Sequence, residues 1–290
     1  MAEPRLGLIV NPIAGMGGAV GLKGTDGAAA LQEARRRGAT PRSPDRAIAA
    51  LTAARDSLAG VEIVTCAGRM GADEVGACGL PAAVVGGSAS EETTAADTQS
   101  GARAIREAGV DLLLFAGGDG TARDILSAVG PELPVLGIPT GVKMHSGVFA
   151  TSPRAAGTLA ARYLGGEVST LRDSEVMDID EEAYRSGRLS ARLFGYLKVP
   201  YDDRSVQKPK SRSAPESGAL HSVAQAALRA MVPDTLYVVG PGTTTRAVLE
   251  AMGLEGSLLG VDVVRNGQLL ATDANEQELL QLVEGRPARI

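Results

Sequence analysis

The sequence predicts an α/β protein: an N-terminal three-layer, doubly wound parallel sheet, followed by a second, mixed α/β domain rich in strands. Three observations carry this expectation. Short apolar runs alternate with helix-length segments through the first 150 residues, the pattern of a parallel sheet covered by helices on both faces. Several of those runs end in Gly-rich or Asn-Pro turns, which let a chain leave a buried strand sharply. Beyond residue 168 the pattern changes to alternation, as in residues 176–180 and more weakly 189–199, which suits antiparallel strands with one exposed face.

The elements follow in order. Residues 6–10, Leu-Gly-Leu-Ile-Val, form an apolar run that stops at Asn11-Pro12 and reads as a buried strand. A Gly-rich stretch, 15–27, precedes an Ala-rich helix over 28–37, closed by Gly38, with Arg35, Arg36 and Arg37 at its C-terminus. A second helix is expected over 44–59, then a strand at 61–65, a short apolar piece at 82–85 and a helix over 90–108. Residues 111–116 are a strong strand candidate, followed by a Gly cluster, a helix over 122–129 and a strand at 134–138. The second part opens with a marked helix: Ser152 at the N-cap, Pro153 at the first helical position and Gly165-Gly166 at the end. Two antiparallel strands are expected within 168–201 around a turn near Arg185-Ser186-Gly187. Residues 202–217 read as a polar loop containing Lys208 to Ser213, either a surface loop or a phosphate-facing flap. Helices at 219–231, 246–252 and 276–283 then alternate with strands at 235–239 and 258–264, and Asn266-Gly267 signals a type I′ hairpin into 268–271. Another strand ought to begin at 288–290, so the natural protein is expected to continue beyond Ile290 and the second domain to be truncated.

Composition excludes several roles. A chain of 290 residues with 44% hydrophobic content can bury a sizeable core in two domains. Only 3% is aromatic and there is no Trp, so the core must be Ala, Val, Leu and Ile, and stacking platforms for single-stranded nucleic acid are not available. The net charge is −5 and no basic run reaches five residues; with no basic stripe, nucleic acid is not the expected partner. No apolar stretch reaches the roughly 18–20 residues of a membrane span, and residues 1–5 lack the apolar core of a signal peptide. Cys66 and Cys78 fit no zinc pattern and read as reduced thiols of a cytoplasmic protein.

Four motifs carry chemistry. Gly117-Gly118-Asp119-Gly120-Thr121 follows a strand directly and opens a helix. Its glycines let the backbone approach a ligand closely, and the helix N-terminus offers free N–H groups to an anion such as phosphate. Asp119 among such amides could accept a proton from an attacking hydroxyl or help to hold magnesium, while Thr121 and Asp124 have capping-box spacing. The second motif, Asn11-Pro12-Ile13-Ala14-Gly15-Met16-Gly17-Gly18, follows the first strand; it is neither a dinucleotide fingerprint nor a P-loop, but it lies where loops gather at the C-terminal edge of a parallel sheet. In the third, Gly137 to Ser146, Thr140, Gly141 and Ser146 flank Lys143, which could neutralise phosphate, and His145, which could orient a substrate or shift a proton. The fourth, Gly240-Pro241-Gly242-Thr243-Thr244-Thr245, repeats the order of strand, Gly turn, hydroxyls and helix; Thr243 or Thr244 could bind phosphate or cap the helix.

Asn-Pro-x-x-Gly-x-Gly after the first strand, with Gly-Gly-Asp-Gly-Thr after a later one, resembles the superfamily of NAD kinases, diacylglycerol and sphingosine kinases and 6-phosphofructokinases. The stretches 137–146 and 240–244 resemble its ATP-NAD kinase or AcoX-like branch, and the likeness runs over nearly the whole chain. The resemblance implies a nucleotide-binding domain over 1–150 and an acceptor-binding domain over 151–290. It implies Asp119 as the base-like or metal-organising residue, and phosphate contacts from Gly117, Gly118, Gly120 and Thr121, with Asn11, Pro12, Gly15 and Gly17 shaping the nucleotide site. Thr140, Gly141, Lys143, His145, Ser146, Gly242, Thr243 and Thr244 would face acceptor or phosphate. Magnesium would arrive with ATP, the acceptor would be NAD or another hydroxylated small molecule, and a homodimer would be the expected assembly; no metal ligand can be named.

Departures from the pattern shift the expected acceptor. Diacylglycerol-type kinases continue the motif with Asn-Glu after one residue, where this chain has Ala122-Arg123-Asp124. The mid-chain Asn-Glu that holds the acceptor ribose in typical NAD kinases has no counterpart; Asn275-Glu276 stands only at a helix start near the end, and Pro139-Thr140-Gly141 replaces Asn-Thr-Gly. The expectation is therefore phosphoryl transfer from ATP to a hydroxyl, with NAD first among the acceptors. The alternatives are a kinase of the same fold for a polyol, nucleoside or lipid, or a nucleotide sensor without chemistry.

Overall fold

The computed structural model describes residues 3–20, 28–87, 93–141, 144–179, 191–202, 205–206, 217–257 and 260–290. In chain order its elements are β1 (Arg5–Val10), α1 (Met16–Ala19), α2 (Ala28–Arg36), α3 (Ser43–Ala54), β2 (Glu62–Cys66), α4 (Ala72–Ala77), β3 (Ala83–Gly86), α5 (Ala95–Glu107), β4 (Leu112–Gly117), α6 (Asp119–Val129), β5 (Val135–Pro139) and α7 (Pro153–Leu164). They continue with β6 (Leu171–Ile179), β7 (Ala191–Pro200), α8 (Ser217–Ala230), β8 (Leu236–Val239), α9 (Thr243–Ala251), β9 (Asp262–Arg265), β10 (Gln268–Ala271), α10 (Glu276–Val283) and β11 (Ala288–Arg289). The chain forms two compact units, one of Met1–Met16, Thr40–Asp180 and Ser190–Lys210, the other of Gly17–Ala39, Glu181–Leu189 and Ser211–Ile290.

The first unit is built on a five-stranded parallel sheet in the order β3-β2-β1-β4-β5. Buried central strands need apolar side chains on both faces; Leu6, Leu8, Ile9 and Val10 of β1 and all of β4 are buried. α3 packs with α7, and α5 packs with α6, giving the helical layers of the α/β fold. Phe115 of β4 and Phe149 meet edge-on at 5.4 Å. The antiparallel pair β6–β7 belongs to the same unit, with a bulge that leaves Phe194 without an opposite residue. The turn expected near Arg185-Ser186-Gly187 lies outside the described residues, as does most of the 202–217 loop.

The second unit holds a four-stranded sheet in the order β10-β9-β8-β11. β8, β9 and β10 pair antiparallel, and β11 joins β8 in parallel. Asn266 and Gly267 turn the β9–β10 hairpin with positive φ values of 51° and 74°, as a type I′ turn requires. Val239, Leu249 and Val264 form a small core here.

Several boundaries differ from the sequence expectation for identifiable reasons. The helix expected over 44–59 ends as α at Ala54 and continues as one 3₁₀ turn, Arg55–Leu58. α5 starts at Ala95 because Thr94 caps it, its hydroxyl and backbone exchanging bonds with Asp97. Ser152, Pro153 and the Gly165-Gly166 stop fall on α7 where the sequence places them, the Ser152 hydroxyl accepting from the Ala155 N–H at 3.1 Å. α4 carries no sequence signal: six residues with an interior Gly are too short for a period to show.

α4 also carries a buried acid. Glu74 is 3% exposed and its Oε2 has no hydrogen-bond partner among the described residues. Burial pushes the carboxyl up from 4.5 to about 7, with neighbouring Asp73 adding to the rise and Arg69 opposing it. The folded state therefore favours the protonated acid. Its contribution is fully present below about pH 4.5 and is lost as pH rises through about 7, a loss of about 3 kcal/mol at about 1.4 kcal/mol per unit. Glu74→Gln should match the wild type in thermal unfolding near pH 4.5 and exceed its Tm at pH 8; equal Tm values at pH 8 would show that the carboxyl ionises without cost.

Candidate active site

The order of the sheet reverses between β1 and β4, and in an open α/β sheet ligands bind at the carboxyl ends of the strands on either side of that switch. Two of the sequence motifs leave the sheet at this place. Asn11 follows β1 and extends its ladder by one bond, its N–H donating to the Ala116 carbonyl at 3.0 Å. Both ends of the Asn11 side chain are engaged: Oδ1 accepts from the Ile13 N–H at 3.3 Å, and Nδ2 donates to Thr121 Oγ1 at 3.0 Å. The segment after β1 is thus tied to the first turn of α6. Pro12 is buried beside it.

Gly117 ends β4, and Gly118 is the N-cap of α6. A Cβ on Gly117 would strike the Thr121 side chain, so the close turn from strand to helix depends on its absence. Gly118 is different, since a Cβ there would meet nothing within 4 Å. Asp119 and Gly120 follow in the first turn, where helix geometry leaves backbone N–H groups without intrahelical partners. Open space in front of a helix N-terminus is what an anion needs. Thr121 therefore lies inside the helix rather than at its cap, which corrects the capping-box expectation. Asp124 instead accepts from Gln99 Nε2 at 3.0 Å, joining α6 to α5.

The third segment follows β5. The Thr140 N–H donates to the Gly117 carbonyl at 3.3 Å. Gly15 presses on the Thr140 carbonyl with φ at +81°, a conformation and an approach that a side chain would forbid. The Thr140 hydroxyl is buried and has no hydrogen-bond partner among the described residues. Gly141 follows, and Lys143 lies outside the described residues.

Farther on, the same segment grips Asp119. Oδ2 accepts from the His145 backbone N–H at 2.8 Å and lies 3.1 Å from His145 Nδ1; Oδ1 accepts from the Ser146 N–H at 3.0 Å. Ser146 is fixed in turn to β6, its hydroxyl donating to the Met177 carbonyl at 2.8 Å and accepting from the Met177 N–H at 3.0 Å. The Gly147 N–H donates to the Glu175 carbonyl at 2.9 Å. No sequence signal marked Met177 and Glu175, because they contribute only backbone.

Asn11, Pro12, Gly15, Gly117, Gly118, Asp119, Gly120, Thr121, Thr140, Gly141, His145 and Ser146 thus all belong to the first unit. Gly17, Gly242 and Thr244 belong to the second. There Gly242 is the N-cap of α9, no side chain caps that helix, and the Thr245 hydroxyl donates to the Gly242 carbonyl at 3.0 Å. Thr243 and Thr244 follow that cap in the first turn of α9, and the Thr243 side chain lies outside the described residues. The described residues do not fit a dedicated magnesium cage. No group of three or more His, Cys, Asp or Glu comes together among them, and the Asp119 carboxylate is committed to two backbone N–H donors and the contact with His145 Nδ1.

The sequence matches the N-terminal domain of ATP-NAD kinase over residues 6–168, more than half of the chain. The chain belongs to that family. The ATP-NAD kinase match spans nearly all of the parallel sheet and the residues of the first three motifs, and it supports an ATP-dependent kinase with a hydroxyl acceptor. No curated protein matches the chain. No helix among the described residues is long and apolar enough to cross a membrane.

Gly118 gives a direct test of where phosphate sits. Its backbone suits alanine, and loss of Gly from an N-cap costs under about 1 kcal/mol. Gly118→Ala should leave Tm nearly unchanged while lowering ATP affinity at least about tenfold, or 1.4 kcal/mol, in a calorimetric titration. Unchanged affinity would remove phosphate from the space in front of α6.

Proposed function

We propose that this ATP-NAD kinase family member transfers the terminal phosphoryl group of ATP to a hydroxyl of NAD, forming NADP. The observation that carries the reading is the start of α6: open space before Gly118, N–H groups free by geometry, and an acid at the first helical position, in a chain that matches the family over this region. In the proposal Gly117, Gly118, Gly120 and Thr121 position the phosphates, with Asn11, Pro12, Gly15 and Gly17 shaping the nucleotide side. Asp119 governs handling of the hydroxyl proton. Thr140, Gly141, Lys143, His145, Ser146, Gly242, Thr243 and Thr244 serve acceptor or phosphate, and residues 1–150 and 151–290 divide nucleotide from acceptor. Magnesium, carried on the ATP phosphates, would neutralise developing charge. The rest of such catalysis is positioning and electrostatics. An AcoX-like branch, a cytoplasmic location and a homodimer complete the proposal.

A second reading keeps the kinase and changes the acceptor. It is favoured by Pro139-Thr140-Gly141 in place of Asn-Thr-Gly and by the absence of a mid-chain Asn-Glu pair; the later Asn275-Glu276 begins α10, where Asn275 caps the helix. Both readings meet one assay. Magnesium-dependent ATP consumption should yield NADP from NAD, and Asp119→Asn should lower kcat at least about a hundredfold while the variant still folds. Turnover on another hydroxylated metabolite alone would replace the acceptor. ATP binding without turnover on any acceptor would make the protein a nucleotide sensor.

A further inference from the structure

We infer that His145, rather than Asp119, is the group that takes the proton from the acceptor hydroxyl, and that Asp119 holds His145 in the tautomer able to do so. The assignment rests on the kinase reading above. It comes from counting the bonds at the Asp119 carboxylate. Oδ2 receives a backbone N–H at 2.8 Å and faces the ring nitrogen Nδ1 at 3.1 Å, and Oδ1 receives a second backbone N–H at 3.0 Å. Two backbone N–H donors and the facing ring nitrogen occupy most of the acceptor positions of this carboxylate. A base must turn a lone pair toward substrate, and this carboxylate has turned its own into the protein.

The ring supplies what the carboxylate does not. An ionised carboxylate only accepts, so its 3.1 Å contact with the ring is a hydrogen bond only in the tautomer that carries the hydrogen on Nδ1. In the neutral ring Nε2 then has the lone pair. Nε2 has no partner among the described residues, and the side chain keeps 18% of its surface exposed against 9% for Asp119. The ring is bonded to the first residue of α6, so it stands at the helix N-terminus where the family reading places phosphate. The backbone beside it is fixed to β6 through Ser146 and Gly147, which gives the imidazole a set position. A carboxylate orienting an imidazole whose other nitrogen faces the reacting hydroxyl is a recurring arrangement for making a weak nucleophile competent.

The step balances. The acceptor O–H proton passes to Nε2 as the hydroxyl oxygen bonds to the terminal phosphorus. The bond from that phosphorus to the bridging oxygen breaks, and ADP leaves with the electron pair. The imidazolium, paired with Asp119, releases its proton to solvent as the products leave, which restores the neutral ring before the next turnover.

The test combines turnover, chemical rescue and a spectroscopic readout. His145→Gln and His145→Ala should each lower kcat by about 10²–10⁴-fold, with ATP affinity within a few-fold of wild type. Added imidazole should raise the rate of His145→Ala at least about tenfold. Asp119→Asn takes away the charge that pairs with the imidazolium and should lose kcat with no rescue, since the ring still fills the site. Only two histidines are present, so nitrogen NMR of histidine-labelled protein, assigned with His221→Gln, should show His145 protonated on Nδ1 in the wild type. Turnover within threefold of wild type in either His145 variant, loss without imidazole rescue in a protein that still binds ATP, or an Nε2-protonated ring in the wild type would overturn the assignment and leave the kinase reading standing. A wild type that consumes no ATP on any acceptor would overturn both.

Discussion

A carboxylate at the first residue of α6, gripped by the N–H groups of the segment that follows β5, fixes much of the first unit's upper edge. Charge-assisted bonds of this kind are roughly twice as strong as neutral ones, and the acid also lies at the favourable end of the helix dipole. The three contacts do more than hold Asp119. They settle where residues 145 and 146 run, and those residues bond to Met177 of β6 while Gly147 bonds to Glu175. One side chain thereby links the β4–α6 turn, the segment after β5 and the β6–β7 pair. A change at Asp119 cannot be read as the removal of an isolated catalytic group.

An acid beside an anion site looks contradictory, since two negative charges near one helix end repel. The geometry resolves the conflict. Side chain and backbone part company at Asp119: the carboxylate is neutralised sideways by its own set of N–H donors, while the helix axis still presents its first-turn amides toward the open space before Gly118. Thr121 contributes from the other flank, its hydroxyl taken by Asn11 at 3.0 Å and its side chain filling the space that Gly117 leaves. The mouth of the helix is therefore framed by satisfied groups. Among the described residues the exceptions at this edge are the buried Thr140 hydroxyl and the outer nitrogen of His145.

Much of this was legible in the sequence, and the legible part has a common cause. Buried parallel strands show as apolar runs and helix ends as Gly, Ser or Asn-Pro punctuation. β1, β4, β5, the Ser152 cap, the Asn266-Gly267 turn and the extent of α10 could all be placed from residue types alone. That Asn11 and Gly117 stand at the C-terminal edge of the sheet followed, because each comes just after a strand, whereas the order that sets β1 beside β4 did not. The misses have separate physical causes. Glu74 and α4 escaped because a six-residue helix has no period. Thr121 and Asp124 had the right spacing for a cap, yet the helix starts earlier because Gly118 can cap it without a side chain. The grip on Asp119 is made largely by backbone N–H groups, which no residue type announces.

The residues after the motif bear on the choice of acceptor. Where a diacylglycerol-type motif continues with Asn-Glu, this chain has Arg123 and Asp124, and each is engaged within the protein. Arg123 pairs with Asp178 of β6 at 3.1 Å and lies 5.5 Å from the Phe194 ring of β7. Asp124 receives Gln99 from α5. The face of α6 that would carry Asn-Glu is thus given to packing α6 against its neighbours. Both substitutions act at a distance from the helix mouth and leave Gly118, Asp119 and the N–H groups of the first turn untouched. The departure from the diacylglycerol-type pattern therefore weighs against a lipid acceptor without weighing against phosphoryl transfer. Residues outside the motif then bear on the acceptor, and among them His145 lies 3.1 Å from Asp119, its outer nitrogen without a partner among the described residues.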